Sequence, residues 1–138
     1  MKNAILPRLM IASLVVLWLC SGVFSLWPSA AISQDLLAAL GVPAPWRWPM
    51  LWAAALWDVL LGLALCTPLA RRAALWWAQV VTVLAYSLIV LVFLPDFLFH
   101  PFAPLVKNLP VLALIAACAQ HARPPHRFTG AKPWNPIC

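Results

Sequence analysis

The sequence predicts an all-α integral membrane protein, a bundle of four transmembrane helices with both termini in the cytoplasm. Of the 138 residues, 65% are hydrophobic and only 9% are charged, whereas a soluble domain carries about 25% charged residues. Four long apolar runs follow one another, and the basic residues are unevenly shared between the segments that separate them. These observations exclude a water-soluble fold, and we expect no separate soluble domain.

The first apolar run, residues 9–27, follows a short basic head, residues 1–8, and carries no charged residue before Pro28. About 20 residues at a rise of ~1.5 Å each cross a hydrocarbon core of ~30 Å, so we interpret this run as the first span. The alternative is a cleaved signal peptide with its cleavage site at residues 29–31. The run is longer than the usual 7–15 apolar residues of such a peptide, which favours the span.

The segment between the first two spans, residues 28–47, contains a short amphipathic stretch, Ser33–Leu40. We expect this stretch to form a helix at the membrane interface, with Ser33 as its N-cap. Gly41 and the prolines that follow it end the helix.

Three further spans are predicted at residues 48–69, 73–94 and 105–120. A tight turn at residues 71–72 separates the second span from the third. The last span is short and leads into a basic, proline-rich C-terminal tail, residues 121–138, which has no apolar periodicity.

The distribution of Lys and Arg predicts the orientation. Only Arg47 and Lys107 lie on the side of the two longer loops. The other seven lie on the side shared by both termini and the middle turn: Lys2, Arg8, Arg71, Arg72, Arg123, Arg127 and Lys132. Because cytoplasmic segments carry the excess of basic residues, we expect both termini in the cytoplasm, in a bacterial-type inner membrane. The same rule accounts for the net charge of +6 without a nucleic-acid partner.

Asp58 is the acid that lies within a predicted span, ten residues after Trp48 and so near mid-bilayer. An ionised side chain there costs at least about 2.5–3.5 kcal/mol and normally faces protein or trapped water. Ala54, Gly62 and Cys66 recur with Asp58 every four residues, so the four share one helix face of mostly small side chains. We interpret this face as a helix-packing seam that contains a buried acid.

Polar residues of the third span also share a face, since Gln79, Thr82 and Tyr86 stand at i, i+3 and i+7. At ~1.5 Å per residue, several polar side chains of the other spans fall with Tyr86 in the outer half of the bilayer. They are Ser21, Ser25, Lys107 and Asn108. With Asp58 beneath them, these groups predict a ligand-binding pocket that opens towards the outer face.

Two interpretations of this cluster stay open. Either the groups satisfy one another and lock the bundle, or they form a proton-linked or ligand-binding site, as intramembrane acids often do. No catalytic residue can be assigned. The histidines lie outside the spans, so no pair of them could hold a haem, and His100 with Asp96 supplies too few ligands to predict a metal site.

Several short motifs resemble those of the DoxX-like family. They are Ser21-Gly22, Leu26-Trp27-Pro28, Trp57-Asp58, Leu61-Gly62-Leu63 and Tyr86. The most specific is the segment at 100–110, HPFAPLVKNLP, with its K-N-L-P core. The resemblance covers about residues 8–120, nearly the whole chain.

The resemblance implies a four-helix membrane protein that serves as an accessory subunit or anchor of an oxidoreductase system. Its partners would be the lipid bilayer and a redox-enzyme subunit, and a homo-oligomer is compatible with it. It does not imply catalysis. The chain holds no haem, flavin or metal ligands of its own, so electron transfer would need a quinone or a partner, and we expect no enzyme activity from the chain alone. The alternative is a non-enzymatic membrane protein: a small-molecule binder, transporter component or assembly factor.

Overall fold

The computed structural model describes residues 5–93 and 104–122, and this part of the chain is almost entirely helical. It forms five α-helices and no strand: α1 (Ile5–Leu26), α2 (Ala30–Ala39), α3 (Ala44–Leu65), α4 (Ala73–Phe93) and α5 (Pro104–Ala122). A 3-10 turn at Pro68–Arg71 connects α3 to α4. The predicted all-α class is confirmed.

Among the described residues, three helices are long and apolar enough to cross a membrane: α1, α3 and α4, with mean hydropathies of 2.3, 1.5 and 2.0. The shorter α5 carries Lys107, Asn108 and Pro110 in its first two turns and is not one of the three. The membrane character is therefore supported, whereas the fourth span and the cytoplasmic location of both termini stay predictions. His100 and Asp96 lie outside the described residues, as does the tail from residue 123.

Helix α3 is displaced from the predicted second span of residues 48–69: it begins and ends four residues earlier. Pro45 lies in its first turn, where the missing N–H breaks no helical hydrogen bond. After Leu65 the Thr67 hydroxyl accepts from the backbone N–H of Leu69 and opens the 3-10 turn. Asp58 consequently lies 14 residues after the start of α3 and 7 before its end, about 21 Å and 10 Å along the axis, and not at its midpoint.

The interfacial segment forms α2, which begins three residues before the predicted Ser33. The prediction of Ser33 as N-cap is wrong, because the N-cap position is Ser29 and Ser33 lies inside the helix. The Ser33 hydroxyl donates instead to the Ser25 carbonyl at 3.1 Å and so ties α2 to α1. Gly41 ends the helix with φ +78°, a left-handed conformation that glycine adopts without steric cost.

Helices α1 and α3 share the most extensive contact among the described helices. A Cβ added to Gly22 would lie 2.6 Å from the Ala55 carbonyl oxygen and 2.7 Å from Val59 Cγ2. A Cβ added to Gly62 would lie 3.2 Å from Trp18 Cβ. The two glycines allow the backbones to approach as small residues do between membrane helices.

Helix α4 packs mainly against α5, and α5 also contacts α1. In contrast, α3 and α4 approach each other closely at few points, although they are neighbours along the chain. The apolar core lies where α1, α3, α4 and α5 converge, and its most deeply buried side chains include Leu14, Leu65, Ile115 and Cys118.

Candidate functional site

Asp58 is buried, with 3% of its surface exposed, and both of its carboxylate oxygens accept hydrogen bonds. The Ser21 hydroxyl of α1 donates to Oδ2 at 2.6 Å, and the Tyr86 hydroxyl of α4 donates to Oδ1 at 3.1 Å. Hydrogen bonds to an ionised acceptor are shorter and stronger than those between neutral groups. The structure thus brings side chains from three helices together at this acid.

Two more hydrogen bonds join α4 to the first pair of helices, one and two turns before Tyr86. The Trp57 indole N–H donates to Thr82 Oγ1 at 2.9 Å. The Trp18 indole N–H donates to Gln79 Oε1, also at 2.9 Å, and both of these residues are buried. Each polar position of the predicted α4 face therefore contacts a different side chain, which satisfies groups that hydrocarbon cannot solvate.

Asn108 and Lys107 are adjacent in α5 but are placed differently. The Asn108 side-chain amide donates to Ser87 Oγ at 2.7 Å, which joins α5 to α4 next to Tyr86. The Lys107 side chain is exposed. Successive helix residues point about 100° apart, so Lys107 does not share the direction of Asn108 towards α4.

Ser25 lies one turn after Ser21 but does not bond to Asp58. Its hydroxyl donates to the Ser21 carbonyl at 2.6 Å, and its own carbonyl accepts from Ser33 of α2. Of the predicted site residues, Ser21 and Tyr86 contact Asp58 directly, whereas the hydrogen bonds of Ser25 and Asn108 serve to position the neighbouring helices.

The buried face of α3 differs from the predicted seam in its spacing. Ala54 and Cys66 are half-buried, whereas Gly62 is buried as expected. The fully buried positions are Leu51, Ala55, Asp58, Leu61, Gly62 and Leu65. Intervals of four and three residues follow a straight helix face more closely than repeated intervals of four. That alternating spacing is the signal in the sequence by which Ala55 could have been found.

The atoms around Asp58 are those of a hydrogen-bonding site. In residues 5–93 and 104–122, no group of three or more His, Cys, Asp or Glu side chains that could hold a metal ion is found. A carboxylate with two hydroxyls can instead bind a carbonyl or hydroxyl oxygen and exchange a proton with it. Tyr86 is 37% exposed, against 3% for Asp58, so an incoming molecule would meet the phenol first.

Comparison with known proteins gives one family match. The model of a family described as the DoxX-like family matches residues 15–116, a range that contains Ser21, Asp58, Tyr86 and Asn108. No curated protein and no solved structure matches the chain.

Proposed function

Since the chain belongs to the DoxX-like family, we propose that it is a membrane-embedded accessory subunit or anchor of an oxidoreductase system, with a quinone or small-ligand pocket at Asp58. The observation that carries the proposal is the buried carboxylate of Asp58, held by the hydroxyls of Ser21 and Tyr86 from two other helices. Charged groups buried within a membrane are costly and commonly mark ligand or proton pathways.

The Tyr86 hydroxyl and the Asp58 carboxylate are chemically suited to bind a quinone. A quinone carbonyl accepts a hydrogen bond, and Tyr86, whose side chain is partly exposed, carries the hydroxyl donor that such a ring would use. Rotation of that hydroxyl from Asp58 to the ligand would leave Oδ1 free to take up or supply a proton. The redox partner would transfer the electrons, while this chain would hold the ring and move a proton at Oδ1.

The alternative is a non-enzymatic role, in which the same hydrogen bonds serve the fold or a redox-inactive ligand. The observation in its favour is that Ser21 and Tyr86 already satisfy both oxygens of Asp58. A mutually satisfied polar cluster stabilises a specific helix arrangement without any ligand.

Mass spectrometry of lipid extracts separates the two roles. We expect quinone to co-purify with the protein in mild detergent, and Tyr86→Phe to lower its amount because the ring loses its donor. Ser87→Ala is the matched control, since Ser87 is adjacent and bonds to Asn108 instead of Asp58. A quinone-free protein that also fails to bind added short-chain ubiquinone would contradict the quinone pocket and favour the alternative.

A further inference from the structure

A crevice of about 390 Å³ opens between the start of α4 and the end of α5, away from Tyr86. We call it the α4–α5 crevice. Its walls are formed mainly by Trp76, Trp77, Val80, Ile115, Ala116 and Ala119. The small alanine side chains of α5 leave the crevice unfilled, and the large apolar side chains of α4 line its opposite wall. The crevice is therefore lined mainly by apolar side chains, as the binding of a hydrocarbon chain requires.

Polar groups lie at one end of this crevice. Arg71, the last residue of the 3-10 turn, and Gln120, in the last turn of α5, both line it, and both are exposed. Trp76 adds no polar group, because its indole N–H already donates to the Ala70 carbonyl at 2.8 Å. A guanidinium group beside an apolar slot is complementary to a phosphate attached to an acyl chain.

The position of Arg71 along the bundle supports the same ligand. Arg71 lies two residues before α4, a helix apolar enough to span, so its charge is at the membrane–water boundary where phosphates lie. Trp77, 65% exposed, is one turn further in, at the depth that interfacial tryptophans prefer. Basic pockets between membrane helices commonly hold anionic lipid head groups.

We propose that the α4–α5 crevice binds an anionic phospholipid. Its phosphate pairs with the Arg71 guanidinium, the Gln120 amide donates to the head group, and one acyl chain lies between the walls of α4 and α5. A guanidinium group binds phosphate through two parallel N–H groups, so an arginine at position 71 suits a phosphate better than a lysine would.

Native mass spectrometry in detergent tests this with phosphatidylglycerol and phosphatidylcholine that carry the same acyl chains. We expect tighter binding of phosphatidylglycerol, and Arg71→Gln to weaken it about fivefold, the effect of one basic residue near an anionic lipid. Arg72→Gln is the matched control, because Arg72 is adjacent and exposed but does not line the crevice. Equal losses in both variants would overturn the proposal in favour of general surface charge.

A second pair of variants tests the acyl chain. Ala116→Leu narrows the crevice at an exposed position and should lower phosphatidylglycerol binding, whereas Ala113→Leu, also exposed but outside the lining, should not. Binding of inorganic phosphate alone, abolished by Arg71→Gln, would identify a free anion as the occupant and overturn the lipid. A dimer of the chain that dissociates when Ala116 is replaced by Leu would also overturn the proposal, because the crevice would then bind a second copy of the chain.

Discussion

Asp58 shows how much a single side chain depends on its donors. Its carboxylate is 3% exposed, and the Ser21 and Tyr86 hydroxyls supply one hydrogen bond to each oxygen. A buried polar group left without a hydrogen-bond partner lowers the free energy of unfolding by about 1–3 kcal/mol. A hydrogen bond that is made raises it by less than that. The cluster is therefore more sensitive to the loss of one member than to a change of chemistry that keeps the bonds.

That asymmetry predicts opposite outcomes for two substitutions of Asp58. Asp58→Leu leaves the Ser21 and Tyr86 hydroxyls without their acceptor and should lower the free energy of unfolding by about 1–3 kcal/mol. Asp58→Asn keeps one oxygen as acceptor and replaces the other by an amide N–H, which can donate to the second hydroxyl, so it should preserve the fold while abolishing proton-coupled activity. Thermal unfolding in detergent measures both. A Leu variant as stable and active as the parent would show that the acid serves neither the fold nor a function.

The polar face of α4 was predictable from the spacing of Gln79, Thr82 and Tyr86, but the partners of its first two residues were not. An indole N–H can reach an acceptor only if two helices have the right relative rotation, and a single helix pattern carries no information on that. Trp57 and Trp18 therefore emerge as hydrogen-bond donors only from the packed structure. In contrast, the depth estimate of ~1.5 Å per residue places Tyr86 in the outer half of the bilayer above Asp58, which predicts that the two lie near each other.

At the scale of helices, the Trp18–Gln79 bond joins α1 to α4 inside the core, where Gln79 is fully buried. Trp18→Phe should destabilise the protein by about 1–3 kcal/mol or more, because it leaves the Gln79 carbonyl without its donor and creates a cavity. Adding Gln79→Met to Trp18→Phe should recover part of this loss, since no polar atom is then left unpaired. Unfolding of the single and double variants measures the difference. Strictly additive losses would show that the hydrogen bond does not couple the two helices.

The α1–α3 contact makes a second prediction, for glycine. Gly22→Ala places a methyl group 2.6 Å from a backbone oxygen that cannot move aside without shifting α3. Overpacking of this kind costs about 1–3 kcal/mol. Gly62→Ala meets side-chain carbons at 3.2 Å, which adjust more easily, so it should cost less. Comparing the two melting temperatures checks the order, and a greater loss at Gly62 would contradict the close approach of the backbones at Gly22.

The limits of α3 show why helix bounds are hard to predict from hydropathy alone. Trp48 opens an apolar run that continues past Leu65 to Leu69, so hydropathy alone carries the span too far. The stop depends on the Thr67 side chain and on Pro68, which begins the 3-10 turn. The start depends on Pro45, which a first helical turn accommodates, although prolines that follow Gly41 favour a loop.

For the whole molecule, the decisive quantity is the number of crossings. Seven of the nine basic residues predict both termini in the cytoplasm, and this requires α5 to span although it is the shortest of the long helices. Fusing a fluorescent protein and, separately, alkaline phosphatase to the C-terminus should give fluorescence and no phosphatase activity. A fusion after Val42, before α3, should give the reverse. Phosphatase activity at both positions would leave three crossings, and phosphatase activity at the C-terminus alone would mean the inverted orientation. Either result would overturn the prediction.

The loose approach of α3 to α4 has a consequence for how a molecule arrives at Tyr86. Both Tyr86 and Trp57 have exposed surface. In a helix that spans the membrane, such surface contacts lipid acyl chains instead of water. A ligand would therefore enter laterally, from the hydrocarbon core of the bilayer. Its occupancy would follow its membrane-to-water partition coefficient, so equally shaped ligands would be ranked by their lipophilicity.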